Sequence, residues 1–112
     1  MVNEIDSESL HTRLDSGERL RLLDIRSESE VSQGILPGAE HLPMHLIPLR
    51  LTELPKHEPL VLYCRSGARS YHACAYLKQQ GYDNVINLRG GILAWARHGF
   101  DIVYPEVRRR FG

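Results

Sequence analysis

Short runs of apolar residues, rich in leucine, isoleucine and valine, alternate along this chain with segments in which polar residues dominate. Apolar runs of this length, bounded by turn residues, are typical of buried strands. The predicted strands are residues 3–5, 21–25, 40–42, 60–64 and 85–88. Because the central runs are apolar almost throughout, they indicate a parallel sheet that is covered on both faces by other elements.

Capping residues and glycines mark the helices between these strands. The predicted helices run from Asp6 or Ser7 to residues 15–17, from the capping box at Ser27 to about residue 33, over residues 47–54, over residues 69–80, and from the Gly90-Gly91 pair to about residue 98. In parallel sheets the reactive loops lie at the carboxyl ends of the strands. Cys64 is at such an end, directly before a helix.

The composition is that of an ordinary globular protein. The chain has 112 residues, which suits one compact domain, and 42% of them are apolar and 25% charged. The formal net charge is zero, so neither nucleic acid nor an anionic membrane is indicated as a partner. The longest apolar run is too short to span a bilayer, and the first residues carry no secretion signal, so we expect a cytoplasmic protein.

The sequence contains two cysteines, Cys64 and Cys74. They are too few for a disulfide scaffold, and zinc would need further cysteines or suitably spaced histidines. The two cysteines can therefore be reactive thiols, small buried residues, or one of each. Cys74 follows Arg69 on the predicted helix, roughly 7 Å further along its axis, which favours a core position over a resolving thiol. His41 and His45 have a proline between them, so we expect no metal site.

The segment from Cys64 to Ser70 combines a cysteine, a short loop and the start of a helix. The N–H groups of the loop and of the first helical turn can converge on one point, where the helix N-terminus adds partial positive charge. Arg65 and Arg69 add two guanidinium groups, and Gly67 allows the tight turn. These features favour a thiolate, so the pKa of Cys64 should be lowered. The sequence predicts an anion cradle around a nucleophilic sulfur, with an inert buried thiol as the alternative.

Four segments, in order along the chain, resemble the rhodanese family of sulfurtransferases. They are Asp24 and Arg26 at a strand end, the Gly-Ile-Leu-Pro-Gly-Ala turn at residues 34–39, the loop at residues 64–70, and the Leu-Arg-Gly-Gly segment at residues 88–91 followed by Trp95. The resemblance covers most of the chain. It implies a single α/β domain over residues 1–112, with a mostly parallel five-stranded sheet flanked by helices on both faces. The core would cover about residues 3–104, and residues 105–112 would form a tail.

The resemblance also assigns roles to individual residues. It implies that Cys64 accepts sulfur as a persulfide and that the loop after it binds the sulfur substrate. The substrate-binding residues would be Arg65, Ser66, Gly67, Ala68 and Arg69. Asp24 and Ser70 would support the loop, and Arg26 would form a structural ion pair.

The chain departs from the family pattern in two places. It has Ile35 where the family often has histidine, and Ser27 and Glu28 where the family often has an acidic residue and a proline. We expect these departures to change local packing and a helix cap, and to leave the chemistry in place.

The implied activity is that of a thiosulfate-type sulfurtransferase. Sulfane sulfur would pass from thiosulfate or a persulfide donor to a thiol or cyanide acceptor through Cys64, with no cofactor or metal, since the chemistry is covalent catalysis on one cysteine. Sulfur-carrier proteins with reactive cysteines are expected as further partners. The main alternative is a protein-to-protein persulfide carrier with little thiosulfate turnover.

Two other functions are disfavoured. Related cysteine phosphatases have a longer loop between cysteine and arginine, whereas four residues separate Cys64 from Arg69 here, and the loop has no acidic residue to act as general acid. A phosphatase or arsenate reductase is therefore the weaker hypothesis, and an inactive binding module is disfavoured because the cysteine and its loop are present. We expect the three arginines at residues 108–110 to form a solvated tail and not a docking site for an acidic protein.

Overall fold

The computed structural model describes residues 1–105, in which strands and helices alternate. The strands are β1 (Asn3–Ile5), β2 (Arg21–Asp24), β3 (Glu40–His41), β4 (Leu60–Tyr63) and β5 (Val85–Leu88), and the helices are α1 (Ser7–Asp15), α2 (Glu28–Val31), α3 (Ala68–Gln79) and α4 (Gly91–Arg97). Two 3₁₀ segments, Met44–Leu46 and Pro48–Glu53, lie between β3 and β4. No helix within the described residues is long and apolar enough to cross a bilayer. The arginines at 108–110 and most of the predicted tail lie outside the described residues.

The five strands form one parallel sheet in the order β1-β5-β4-β2-β3. All four residues of β4 are buried, as expected for a central strand. Leu62 pairs with Leu23 of β2 on one side and with Asn87 of β5 on the other. The predicted α/β fold with a five-stranded parallel sheet is confirmed. Because β4 is hydrogen-bonded on both sides, the backbone position of Cys64, which follows it, is well defined.

Alternate residues of β4 point into two separate core layers. Leu60 and Leu62 pack in the layer that contains the apolar face of α3, and Val61 and Tyr63 pack in the layer that contains residues of α1 and α4. Helices therefore cover both faces of the sheet, as predicted. Each fully buried leucine contributes about 2 kcal/mol of transfer free energy, so these two layers hold the sheet and the helices together.

The segment at residues 47–54 differs from its prediction as one helix. It forms a six-residue 3₁₀ segment that starts at Pro48, and Arg50 leaves helical geometry at φ −112° and ψ 17°. Ile47, just before it, is buried at 1% exposure, whereas none of the six residues is fully buried. One buried apolar side chain is not enough to stabilise an α-helix with its 3.6-residue period. The segment therefore forms the tighter i→i+3 hydrogen bonds of a 3₁₀ helix.

Candidate active site

The loop that follows β4 and begins with Cys64 packs against the start of α4. Ile92 N donates to Cys64 O at 3.0 Å, and Leu93 N donates to Arg65 O at 3.1 Å. These are N–H groups of the first turn of α4, which have no partner within their own helix. The close approach depends on Gly91, which has φ +60°, because a Cβ there would lie 2.6 Å from Cys64 O.

Gly67 begins α3 and closes the loop around the sulfur. It lies at φ +99° in the left-handed region, which a residue with a Cβ adopts at a cost. A Cβ here would also lie 3.1 Å from Gly90 N and 3.3 Å from Leu88 O. The glycine predicted for a tight turn is therefore needed both for its backbone angle and for the close packing of the loop against the end of β5.

The sulfur of Cys64 lies at the centre of a group of donors. Its Sγ accepts hydrogen bonds from Gly67 N at 3.1 Å and from Ser70 N at 3.4 Å, and Ser70 Oγ lies within donor distance of it at 3.4 Å. Burial raises the pKa of the Cys64 thiol, but hydrogen bonds from Ser70, Gly67 and Ser66 outweigh it, so that the pKa lies below its ordinary value. This is the arrangement that the sequence predicted for an anion cradle.

The sequence analysis also credited the two loop arginines with lowering this pKa. The structure assigns the main lowering to backbone and hydroxyl donors of Ser70, Gly67 and Ser66. Arg65 is exposed, and Arg69 is engaged elsewhere. Donors fixed by the backbone lie at hydrogen-bond distance from the sulfur, whereas a long flexible side chain has solvent and other partners available.

Arg69 is bound by a carboxylate that the sequence analysis treated only as part of a helix cap. Its Nη1 donates to Glu30 Oε1 at 2.9 Å and its Nη2 donates to Glu30 Oε2 at 2.8 Å. Arg69 lowers the pKa of Glu30 to about 2. Glu30 also completes the predicted capping box with Ser27 at the start of α2. No local sequence signal connects α2 with the loop, so this ion pair was missed.

Ser70 and Asn87 form a second contact that the sequence analysis missed. Ser70 Oγ donates to Asn87 Oδ1 at 2.5 Å, and Asn87 Nδ2 donates to Gly67 O at 3.2 Å and to Glu4 Oε2 at 2.8 Å. The two acceptors on Nδ2 fix the orientation of the amide, so Asn87 Oδ1 competes with the sulfur of Cys64 for the single hydroxyl proton of Ser70. The signal available in the sequence was a polar residue inside the apolar run of β5.

Asp24 and Arg26 form a buried pair beside the site. Arg26 Nε donates to Asp24 Oδ1 at 2.9 Å and Arg26 Nη2 donates to Oδ2 at 2.7 Å, while Nη2 also donates to Gly34 O at 2.6 Å. This is the structural ion pair that the resemblance implied for Arg26. The carboxylate of Asp24 is directed at Arg26 and not at the loop, and its role in loop support stays a prediction.

Two clefts open next to the loop. One has a volume of about 710 Å³ and is lined in part by Met44, Leu46 and Arg69. The other has a volume of about 610 Å³ and is lined in part by Glu30 and Arg65. Since Arg69 borders the first cleft and Glu30 the second, their ion pair lies between the two. Of the remaining predicted loop residues, Ser66 and Ala68 are exposed.

The second cysteine has a different environment. Cys74 lies on α3 with no exposed surface, within the core layer, and burial raises the pKa of its thiol to about 12. It is thus a small core residue, as the sequence favoured. In residues 1–105, no three histidine, cysteine, aspartate or glutamate side chains lie close enough together to hold a metal ion.

Several known proteins are similar to this chain in sequence or in structure. A family model described as a rhodanese-like domain matches residues 6–98. A sulfurtransferase of Allochromatium vinosum is 65% identical over 106 residues, which cover 95% of this chain and 99% of that protein. A rhodanese-like domain protein of Staphylococcus aureus superposes with a TM-score of 0.84 at 28% identity, over 94% of this chain and 100% of that one. A rhodanese-like domain of Anabaena gives a TM-score of 0.83 at 28% identity, over 100% of this chain and 87% of that one.

Proposed function

The chain belongs to the rhodanese-like domain family, and we therefore propose that it transfers sulfane sulfur through a persulfide on Cys64. The observation that supports this most directly is the environment of one atom. Cys64 Sγ accepts hydrogen bonds from Gly67 N at 3.1 Å and from Ser70 N at 3.4 Å. N–H groups aimed at a sulfur stabilise a thiolate, and they would also stabilise the terminal sulfur of a persulfide anion.

In the first step, the Cys64 thiolate attacks the outer sulfur of thiosulfate. A bond forms between Sγ and that sulfur, the bond between the two sulfurs of thiosulfate breaks, and sulfite leaves with the electron pair. The product is a persulfide anion on Cys64. With a persulfide donor, the same attack releases the donor's thiolate. No proton has to leave Cys64 when its thiol is already ionised, which agrees with its lowered pKa.

In the second step, an acceptor takes the terminal sulfur. A thiolate or cyanide attacks it, the bond from Sγ to that sulfur breaks, and the electron pair returns to Sγ as the thiolate. The acceptor leaves as a persulfide or as thiocyanate. Because the sulfur is carried covalently on Cys64, the cycle needs no cofactor, and the free thiolate is regenerated in the cradle.

The donors and acceptors follow from the surroundings of the loop. Arg65 is exposed and lines a cleft together with Arg97, so we assign to it the attraction of anionic donors. Thiosulfate is the small donor, and reactive cysteines of sulfur-carrier proteins are the macromolecular partners of the same chemistry. Both require Cys64 as a free thiol, so the proposal places the reaction in a reducing compartment such as the cytoplasm.

Intact mass spectrometry after incubation with thiosulfate tests the proposal. We expect the wild-type chain to gain one sulfur atom and to lose it again when cyanide is added, with thiocyanate as the product. Cys64→Ser should gain no sulfur. Cys74→Ala, which removes the other thiol, should gain sulfur as the wild type does.

Two results would contradict the proposal. One is a wild-type chain that stays unmodified with thiosulfate and with a persulfide donor such as glutathione persulfide. The other is sulfur uptake that persists in Cys64→Ser and disappears in Cys74→Ala.

A further inference from the structure

Arg69 lies in the first turn of α3, directly after the Cys64 loop, and is paired with a carboxylate. Its guanidinium forms two parallel hydrogen bonds with Glu30, at 2.9 and 2.8 Å, from a residue 39 positions earlier in the chain. The charge of the Cys64 thiolate also acts on Arg69. Arg69 immediately precedes Ser70, whose N–H group lies 3.4 Å from the sulfur, and it lines the cleft of about 710 Å³ beside the loop, so its charge can act on an incoming anion. That charge is balanced by Glu30.

Glu30 is held in place before any substrate arrives. Its Oε1 accepts hydrogen bonds from Ser27 N at 3.1 Å and from Ser27 Oγ at 3.1 Å, which anchor the carboxylate at the start of α2. The pKa of Glu30 is lowered to about 2, first by Arg69 and then by Ser27, so it is charged at every pH at which the thiolate exists. A helix cap fixes this carboxylate, and it forms two hydrogen bonds with an arginine. Its negative charge therefore acts on the site whether or not a substrate is bound.

Other arginines at the loop differ from Arg69 in their ion pairing. Arg26 is buried and paired with Asp24. Arg65 is exposed, and within residues 1–105 it has no carboxylate within ion-pair distance. The positive charge available to an incoming anion therefore comes mainly from Arg65 and from Arg97, which lines the same cleft, since the guanidinium of Arg69 is balanced. An unpaired Arg69 would make the entrance to Cys64 far more favourable for a dianion.

We propose that Glu30 determines the charge selectivity of the site. By neutralising Arg69, it lowers the preference for dianionic donors such as thiosulfate relative to donors of lower charge, such as a persulfide on a protein cysteine. The choice of donors rests on the function proposed above, but the electrostatic effect applies to any reagent that reaches Cys64. Glu30 is a specificity-determining residue that acts through Arg69, and it does not contact the reacting atoms.

Alkylation of Cys64 by two reagents of similar size and different charge provides the test, with the rate ratio of each variant compared with that of the wild type. Iodoacetate is an anion and iodoacetamide is neutral, so the ratio of their rate constants reports the potential at the sulfur. In Glu30→Gln we expect this ratio to rise about threefold to tenfold at low ionic strength, and less at high salt. Glutamine keeps a side-chain oxygen at this position of the helix, so the capping box with Ser27 can persist.

The chain offers a matched control. Glu18 forms an exposed pair with Arg13, away from the loop, and Glu18→Gln changes the net charge by the same amount. We expect its alkylation ratio to equal that of the wild type. An equal rise in Glu18→Gln and Glu30→Gln would mean that net charge alone is responsible, and this would overturn the proposal.

Arg69→Gln tests the same ion pair without changing the helix cap, and a double variant completes the cycle, with thermal denaturation as the check that each variant is folded. Arg69→Gln leaves Glu30 without its partner, and the alkylation ratio should fall. The double variant Glu30→Gln with Arg69→Gln replaces a neutralised pair by a neutral one, so the ratio should return close to that of the wild type. A double variant that stays as low as Arg69→Gln would show that Glu30 has no effect at the sulfur.

Failure of this inference and failure of the sulfur-transfer function give different results. Alkylation requires no sulfur donor, so it decides the role of Glu30 even if no persulfide forms with any donor. If persulfide does form, Glu30→Gln should also raise kcat/KM for thiosulfate by a similar factor. Normal persulfide formation with an unchanged alkylation ratio would overturn the role of Glu30 and leave the sulfur-transfer function intact.

Discussion

Cys64 and Cys74 are both buried, yet the pKa of the Cys64 thiol lies below that of an ordinary cysteine and the pKa of the Cys74 thiol lies above it. Burial raises the pKa of Cys74 to about 12, because an apolar environment disfavours the thiolate. At Cys64, burial acts in the same sense, but hydrogen bonds from Ser70, Gly67 and Ser66 to the sulfur outweigh it and lower the pKa. Both thiols lose solvation on burial, so the difference between their pKa values follows from the polar groups that point at the sulfur of Cys64.

Replacing the hydroxyl that faces the sulfur should weaken this effect. Ser70→Ala keeps the backbone N–H and removes Oγ, which lies 3.4 Å from Cys64 Sγ. The pKa of Cys64 should rise, so alkylation by iodoacetamide near neutral pH should slow by about threefold, the effect of one weak hydrogen bond to a charged group. Alkylation rates measured as a function of pH would show the curve displaced to higher pH.

The control for this variant is the removal of a hydroxyl away from the site. Ser32 is exposed, and its Oγ donates to Ser29 O at 2.8 Å. Ser32→Ala should leave the curve unchanged. If Ser70→Ala also left it unchanged, the backbone donors alone would account for the lowered pKa of Cys64.

At the scale of elements, the position of the loop depends on α4. The first turn of α4 donates hydrogen bonds to Cys64 O and Arg65 O, and Gly91 lies between the two elements. A parallel sheet places β4 and β5 side by side, so the segments that follow these strands meet at the same edge. The cysteine loop and the glycine pair are therefore parts of one structural unit, although they are separated in sequence by α3.

Adding a methyl group to Gly91 should separate these elements. Gly91→Ala would place a Cβ 2.6 Å from Cys64 O and force a side chain into φ +60°. We expect a loss of about 3 kcal/mol in the free energy of unfolding, from steric overlap and backbone strain, together with slower persulfide formation. Urea denaturation and the mass assay would measure the two effects.

The other end of the same helix provides the comparison. Gly99 has φ +80°, and a Cβ there would meet nothing within 4 Å. Gly99→Ala should therefore cost only about 1 kcal/mol from the backbone angle and leave persulfide formation unchanged. Equal losses in the two variants would show that the backbone angle matters and that the contact with the loop does not.

At the scale of the whole molecule, ion pairs connect elements that are distant in sequence. The pair of Glu30 and Arg69 joins α2 to α3 across the entrance of the site. Asn87 of β5 similarly connects Glu4 of β1 to Gly67 O in the loop after β4, so its hydrogen bonds span three neighbouring strands of the sheet. Contacts at the site therefore contribute to the free energy of unfolding, and this contribution should depend on pH.

Acid should remove the contribution of Glu30. Its pKa is lowered to about 2 in the folded state from an ordinary 4.5, so its stabilising effect is complete above the ordinary value and disappears as pH falls towards 2. Because the pair is partly exposed, we expect a difference on the order of 1 kcal/mol between the wild type and Glu30→Gln at neutral pH. Urea unfolding at pH 7 and pH 2.5 would show this difference shrinking, and a difference that is constant with pH would contradict it.

Features that depend only on residues close together along the chain were predictable from the sequence. The apolar runs located the three central strands β2, β4 and β5, and the capping box at Ser27 located α2. The Cys64 loop with its glycine predicted an anion cradle, because hydrogen bonds within the loop are local. The exception is the segment at residues 47–54, where a proline-started helix with one buried anchor took 3₁₀ geometry. The local sequence pattern determines the local structure only where tertiary packing stabilises that structure.

Tertiary structure alone decided what surrounds the cradle. Glu30 lies 39 residues before Arg69, Asn87 lies 17 residues after Ser70, and Glu4 lies 83 residues before Asn87. No local pattern links these positions, since they meet only when parallel strands bring their ends to one edge of the sheet. The N–H groups that converge on the sulfur of Cys64 are thus predictable from a short segment. The balance of charge around that sulfur follows from which distant side chains the folded sheet brings to it.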